Sequence, residues 1–213
     1  MSDKLFKFDK NFNTLVIGTD EAGRGPGAGP VYAAAVYFPN VNSALLKILN
    51  EINDSKKLTE TKREELYELI KQNTVYSIQS STVEEIEKMN ILQASLNTMK
   101  KACLDVIKQI DKKDLIVLID GNKLIPNFNY PQKYIIKGDA TSASIAAASI
   151  LAKVERDKFM CELHNKHPQY GWDRNKGYLT QEHIDAISQY GLTKWHRKKF
   201  VRNINCKQLS LTN

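Results

Sequence analysis

Carboxylates stand just after three apolar runs. Residues 15–19 are followed by Asp20 and Glu21, residues 115–119 by Asp120, and residues 134–136, a little further on, by Asp139. Each run reads as a short buried strand, and the 115–119 run is apolar enough to be covered on both faces. In an α/β sheet the strand ends are where loops converge on a rigid platform and ligands bind. If the first run and the 115–119 run are parallel neighbours, Asp20 and Asp120 lie side by side. Carboxylates brought together raise one another's pKa unless a cation sits between them. The cation suited to all-oxygen ligands is Mg²⁺ or Mn²⁺, held by a few carboxylates together with substrate phosphate. Two such ions about 3.5–4 Å apart activate a water and stabilise the leaving oxygen of a phosphodiester. Taken singly, each acid has a plainer role: Asp139 as a helix N-cap, and Asp120-Gly121 as a turn.

The loop DEAGRGPGAGP, residues 20–30, is the most unusual segment. Gly23, Gly25, Gly27 and Gly29 alternate with other residues, so the backbone can approach a ligand without Cβ interference. Gly23-x-Gly25-x-x-Ala28 fits a relaxed dinucleotide fingerprint, but a strand follows where that motif needs a helix. No Gly-Lys-Ser/Thr is present for a phosphate-binding loop. A plain hairpin remains open, although Arg24 between two glycines and beside two acids is an odd choice for one.

The elements that must position these groups follow from periodicity. Strands are expected at 15–19, 31–38, 75–80, 115–119 and 134–136. Thr59 caps a helix carrying Leu66, Leu69 and Ile70, and helical spacing returns from Asn90 to Ile110. An alanine-rich helix spans 141 to about 163, its small residues allowing close packing on a sheet. Later helices are expected at 181–189 and about 194–201. No repeat or linker divides the chain, which reads as one α/β domain over 1–213. Its core covers about 14–165, a helical C-terminal part about 166–202, and a flexible tail 203–213.

The 213 residues carry a formal net charge of +7, compatible with an anionic partner without naming one. From Ala186 onward there is no Asp or Glu, whereas Lys194, Arg197, Lys198, Lys199, Arg202 and Lys207 supply six positive charges, interleaved with Trp195 and Phe200. Such an arm suits phosphate contacts, and equally a solvated tail. Cys103, Cys161 and Cys206 lie far apart, against a disulfide framework or zinc ribbon and in keeping with a reducing cytosol. His164 and His167 lack partner ligands at zinc spacing. No signal peptide is recognisable at the N-terminus, and the longest weakly apolar run, 144–152, is too short to span a bilayer. The expectation is a soluble, cytoplasmic protein.

Five blocks then carry a resemblance: VIGTDEAGRGPGAGPVYAAAV, NDSKKLT (Asn53 to Thr59), LIDGN, KGDATSASIAAASILAKVERD (Lys137 to Asp157), and YGWDRNKGY with WHRKKF. In this order they closely resemble the ribonuclease HII family, the bacterial type 2 ribonuclease H, from about residue 14 to residue 200. The resemblance implies a ribonuclease H-like fold: a mixed five-stranded sheet flanked by helices, with a C-terminal helical extension. It implies metal-binding, catalytic carboxylates at Asp20, Glu21, Asp120 and Asp139, with Mg²⁺ or Mn²⁺ as cofactor and Asp157 nearby. Gly23, Arg24 and Gly25 match the loop whose backbone senses the ribose 2′-OH, the group that tells RNA from DNA. Tyr178 matches the tyrosine that packs on the deoxyribose following the ribonucleotide; by itself it reads as a half-buried aromatic. Ser55 and Lys56 match phosphate contacts. His196 and Arg197 match the C-terminal block, in which Lys199 replaces an expected serine.

The activity implied is hydrolysis of the RNA strand of RNA·DNA hybrids, and cutting 5′ of single ribonucleotides in duplex DNA, by a monomer that leaves 3′-OH and 5′-phosphate ends. The cellular counterpart is removal of misincorporated ribonucleotides and of RNA hybridised to DNA. The sister ribonuclease HIII family carries an extra N-terminal domain and usually lacks the arginine matching Arg24. A nucleic-acid-binding module with a dead site is disfavoured by the four intact acids. Gln208, Leu209 and Leu211 faintly resemble a sliding-clamp docking segment, too little to support that partner.

Overall fold

A computed structural model describes residues 4–39 and 59–204. Ser55, Lys56, Cys206 and the proposed clamp-docking segment lie outside the described residues.

The helices and strands are α1 (Lys4–Lys10), β1 (Leu15–Ala22), β2 (Val31–Tyr37), α2 (Glu60–Asn73), β3 (Val75–Ser81), α3 (Val83–Met89), α4 (Ile91–Ile110), β4 (Leu115–Asp120), β5 (Gln132–Ile135), α5 (Ala143–Lys166), α6 (Trp172–Asn175), α7 (Gln181–Tyr190) and α8 (Lys198–Val201). The strands form one sheet in the order β3-β2-β1-β4-β5. β2 is antiparallel to β1 and β3, whereas β1–β4 and β4–β5 are parallel. This is the mixed five-stranded sheet that the resemblance implies.

Both faces of the sheet are covered, which explains why β2 and β4 are apolar at nearly every position. Side chains alternate across a strand. Ala34 and Val36 therefore pack under α5 with Leu66 and Ile70 of α2. Ala33, Ala35, Ile17, Val117 and Ile119 face α4, against Met99, Ala102 and Val106. Alanines in α5 bring that helix close to the sheet. A Cβ added to Gly18 of β1 would lie 2.2 Å from the Ile145 nitrogen, so only glycine permits this approach.

Several boundaries differ from expectation. β1 continues through Asp20 and Glu21, which are strand residues and do not follow the strand, and Asp120 ends β4 itself. The last strand is Gln132–Ile135, held by the Gln132 side chain against the backbone of Ile125, and not 134–136. The helix expected over 194–201 shrinks to Lys198–Val201, because Trp195 and Arg197 use their backbones to pair with the glycine loop. Asp139 does not cap the long helix: Ser142 does, its hydroxyl accepting from the Ile145 N–H.

Three helices were not expected. α1 docks through buried Asp9, which accepts from the Ser144 N–H and hydroxyl at 2.9 and 2.8 Å, an anion at the positive end of α5. α3 starts with a capping box in which Thr82 and Glu85 satisfy each other's backbone N–H. α6 is a short turn of the C-terminal part, whose own core joins Met160, Tyr170, Trp172, Ile187 and Val201 to Ala28 of the glycine loop. Among the described residues no helix is long and apolar enough to cross a membrane.

Candidate active site

The register of β1 and β4 decides where the acids meet. Thr19 lies opposite Ile119, so the next residues on the two strands are Asp20 and Asp120. Asp139 sits in the 3₁₀ turn Gly138–Ala140 that follows β5, and the Gly138 N–H donates to Asp120 Oδ1 at 2.7 Å. The fold thus gathers Asp20, Glu21, Asp120 and Asp139 where β1 and β4 end. They approach as neighbouring pairs: among the described residues no three His, Cys, Asp or Glu side chains close into a ready-made metal cage.

Electrostatics show what this arrangement favours. Asp20 is held well above the ordinary carboxylate range, first by burial and then by the charges of Glu21 and Asp120. A hydrogen bond from the Ser149 hydroxyl and one from the Glu21 N–H, at 2.7 Å, offset only part of this. Glu21 is also raised by burial, although Arg24 opposes it across a 3.1 Å ion pair. Burial raises Asp120 as well, the Gly138 N–H opposes, and the charge of Asp139 adds to the rise. An all-oxygen set of mutually repelling acids fits a hard divalent cation that completes its shell with water and phosphate.

Beside the acids lies a cavity of about 330 Å³ lined by Glu21, Gly23, Arg24, Gly25, Ser149, Lys153, Arg156 and Tyr178. Gly23 has φ +102°, and a Cβ there would meet the Arg156 Nε at 2.1 Å. Tyr178 is 49% exposed, and an added Cβ on Gly25 would touch its ring edge at 3.4 Å. Asp157 does not line this cavity. It pairs with Lys153 at 2.8 Å and faces a neighbouring one with Glu60, Arg63 and Cys161.

His196 and Arg197 turn inward, in contrast to the solvated or phosphate-gripping arm that the charge run suggests. Arg197 is fully buried and donates to the carbonyls of Gly23, Arg24 and Gly29. His196 accepts at Nδ1 from the Thr193 N–H, 2.9 Å away, so its proton sits on Nε2. That nitrogen is 3.2 Å from His183 Nε2, which also accepts from Trp172 Nε1 at 3.1 Å. His183 therefore carries its proton on Nδ1, directed at the Tyr178 carbonyl 2.9 Å away. Both rings are neutral: burial lowers His183, and burial with the adjacent His183 pushes His196 down to about 3. This chain fixes the backbone under Tyr178. Lys199 is engaged by Glu87, its Nζ donating to the Glu87 carbonyl at 2.8 Å.

Sequence reasoning missed Ser149, Lys153, Arg156 and His183. The first three were within reach, because they recur at helical spacing on α5 with Ser149 facing Asp20. His183 had no signal beyond a single histidine on an amphipathic helix.

The family model for Ribonuclease HII matches residues 17–206. The chain belongs to the ribonuclease HII family. It is 51% identical over 187 residues to Ribonuclease HII of Pelagibacter ubique, covering 87% of this chain and 95% of that one. The crystal structure of ribonuclease H2 from Pyrococcus horikoshii superposes with a TM-score of 0.71 at 25% identity, covering 90% of this chain and 97% of that one. Bst-RNase HIII, solved in complex with Mn²⁺, shares the fold with a TM-score of 0.66 at 17% identity, over 90% of this chain and 63% of that one. As a ribonuclease HII family member, the chain is an endonuclease of the ribonuclease H type.

Proposed function

We propose that this ribonuclease HII family member cleaves the RNA strand of RNA·DNA hybrids and cuts duplex DNA on the 5′ side of single embedded ribonucleotides, leaving 3′-OH and 5′-phosphate ends. The supporting observation is the convergence of four carboxylates beside the cavity formed by the Gly23–Gly25 segment and the Tyr178 ring.

Asp20, Glu21, Asp120 and Asp139 would hold Mg²⁺ or Mn²⁺, in line with the Mn²⁺ bound by the ribonuclease HIII neighbour. When bound, such cations supply Lewis-acid activation of the attacking water and neutralise the departing 3′-oxygen. The protein's own groups do the rest. Ser149 and the Glu21 N–H hold the Asp20 carboxylate in one orientation, and the Gly138 N–H does so for Asp120. The Arg24–Gly25 backbone reads the 2′-OH, because glycines on both sides of Arg24 let the main chain come close. Tyr178 packs against the next sugar, where a 2′-OH would crowd the ring, and this favours an RNA-to-DNA junction. Lys153 and Arg24 supply positive charge to the phosphates that flank the cut, and Ser55 and Lys56 contact phosphate as well. Asp157 orients Lys153 through their ion pair beside the site. The protein acts as a monomer in this reading.

The test is product mapping on a labelled RNA·DNA hybrid with Mg²⁺, Mn²⁺ or EDTA. Metal-dependent fragments ending in 3′-OH and 5′-phosphate support the chemistry; cleavage in EDTA, or cyclic phosphate ends, rule it out.

A further inference from the structure

Two buried arginines hold the glycine loop through its carbonyls. Arg197 donates through Nη2 to the Gly23 carbonyl at 2.7 Å, through Nη1 to that of Arg24 at 3.2 Å, and through Nε to that of Gly29 at 2.9 Å. Arg156 donates through Nε to Pro30 at 3.1 Å, through Nη2 to Ala28 at 3.2 Å, and through Nη1 to Lys176 at 3.0 Å. The residues are 1% and 0% exposed for Arg156 and Arg197. Burying a cation is costly: burial lowers Arg156, and burial with the Arg156 charge pushes Arg197 down to about 9. Two cations are thus retained where neutral side chains would bury more easily.

Their geometry has a directional consequence. A trans peptide points its N–H opposite to its C=O, and no cis bond occurs among the described residues. Drawing the Gly23 and Arg24 carbonyls toward Arg197 therefore turns the N–H groups of Arg24 and Gly25 away from it; both of these residues line the cavity, and Arg197 does not. Arg156 in turn spans from the loop to Lys176, two residues before Tyr178. Gly177, between them, accepts from the Gly27 and Ala28 N–H groups at 2.9 and 3.2 Å. The loop amides and the Tyr178 ring are set relative to each other by the same two side chains.

We infer that Arg156 and Arg197 are positioning residues for substrate choice: they fix the spacing between the Arg24–Gly25 amides and the Tyr178 ring, so that a ribose followed by a deoxyribose fits both. The inference rests on the proposed reading of the loop and Tyr178 as sugar sensors. It requires the planar arginine fork, because a lysine keeps the charge on one nitrogen and cannot reach three separated carbonyls.

The experiment uses full-length Arg197→Lys and Arg156→Lys beside wild type. Each is assayed with Mg²⁺ for kcat and KM on a duplex with one ribonucleotide and on a long RNA·DNA hybrid. Binding to an all-DNA duplex and Tm are measured in parallel. Loss of one or two charge-assisted hydrogen bonds predicts a fall in kcat on the lone ribonucleotide of about tenfold or more. The long hybrid, which presents no following deoxyribose, is affected less, and all-DNA binding is unchanged because the charge is kept. Wild-type rates in both lysine variants would show that charge alone matters and overturn the inference. So would an equal fall on both substrates that tracks Tm, the mark of a merely structural role. If Arg197→Lys does not fold, Arg156→Lys, which leaves the three Arg197 bonds in place, is read below its Tm by the same criteria. A wild-type protein that fails to cut at a lone ribonucleotide would overturn the sugar-sensing reading itself. A wild type that prefers it, with lysine variants that keep the same preference, overturns this inference alone.

Discussion

Asp20 stands beside Asp120 because β1 and β4 pair in parallel with Thr19 opposite Ile119. Backbone hydrogen bonding thereby imposes a proximity that the carboxylates oppose, and the charge of Asp120 is one reason that Asp20 holds its proton unusually tightly. A divalent cation would relieve that repulsion.

Replacing Asp120 with Asn should reduce cleavage by about 10³-fold or more while keeping duplex binding, as expected when a group acts in catalysis and not in affinity. The check is a single-turnover assay paired with a gel-shift titration. Robust residual cleavage would remove Asp120 from the reacting centre.

Asp20→Asn should make the metal-free protein more stable as it inactivates it. A carboxyl whose folded pKa is raised favours the fold below its unfolded value of 3.8, and that contribution is lost as pH rises through the folded pKa. At neutral pH, above that unfolded value, Asp20 is therefore a liability that Asn removes. Melting in EDTA at pH 7 should show Tm rising by about 2–4 °C for each kcal/mol of repulsion relieved. Added Mn²⁺ should raise the wild-type Tm more than that of the variant.

Much of this centre was legible in the sequence, since apolar runs ending in acids located Asp20, Glu21, Asp120 and Asp139. The pairing that brings Asp20 to Asp120 could be posed only as a condition, because register depends on partners that local pattern does not fix. The basic run from Lys194 onward suggests a solvated or phosphate-gripping arm. A buried arginine and an exposed one look alike until their neighbours are known, and Arg197 holds loop carbonyls some 170 residues earlier in the chain. α1 escaped notice because its seven residues carry three lysines and its anchor is a single buried Asp9. α3 carried a legible Thr82–Glu85 capping box that went unread.

Gly23 and Gly25 should separate by stability. Gly23→Ala forces a side chain onto φ +102° and into the Arg156 guanidinium, and should cost about 1–3 kcal/mol by denaturant unfolding. Gly25→Ala meets only the Tyr178 ring edge at 3.4 Å. Its Tm should stay near wild type while cutting at a lone ribonucleotide weakens. The opposite order would contradict the packing described for the loop.

The buried histidine pair should make the fold sensitive to mild acid. His196 is lowered from 6.5 to about 3, so its contribution is complete above pH 6.5 and is lost as pH falls toward 3, where the unfolded chain binds a proton that the folded ring refuses. Tm measured from pH 7 downward should decline across this window. A His196→Gln variant should be less stable at pH 7 but show a shallower decline. Equal slopes would mean that other groups govern acid unfolding.

The most direct measurement compares three labelled duplexes with Mg²⁺ and with EDTA: DNA carrying one ribonucleotide, all-DNA, and a long RNA·DNA hybrid. Metal-dependent cutting on the 5′ side of the lone ribonucleotide, with all-DNA intact, is the expected result. Cutting of the long hybrid alone would contradict the roles given to Gly23–Gly25 and Tyr178.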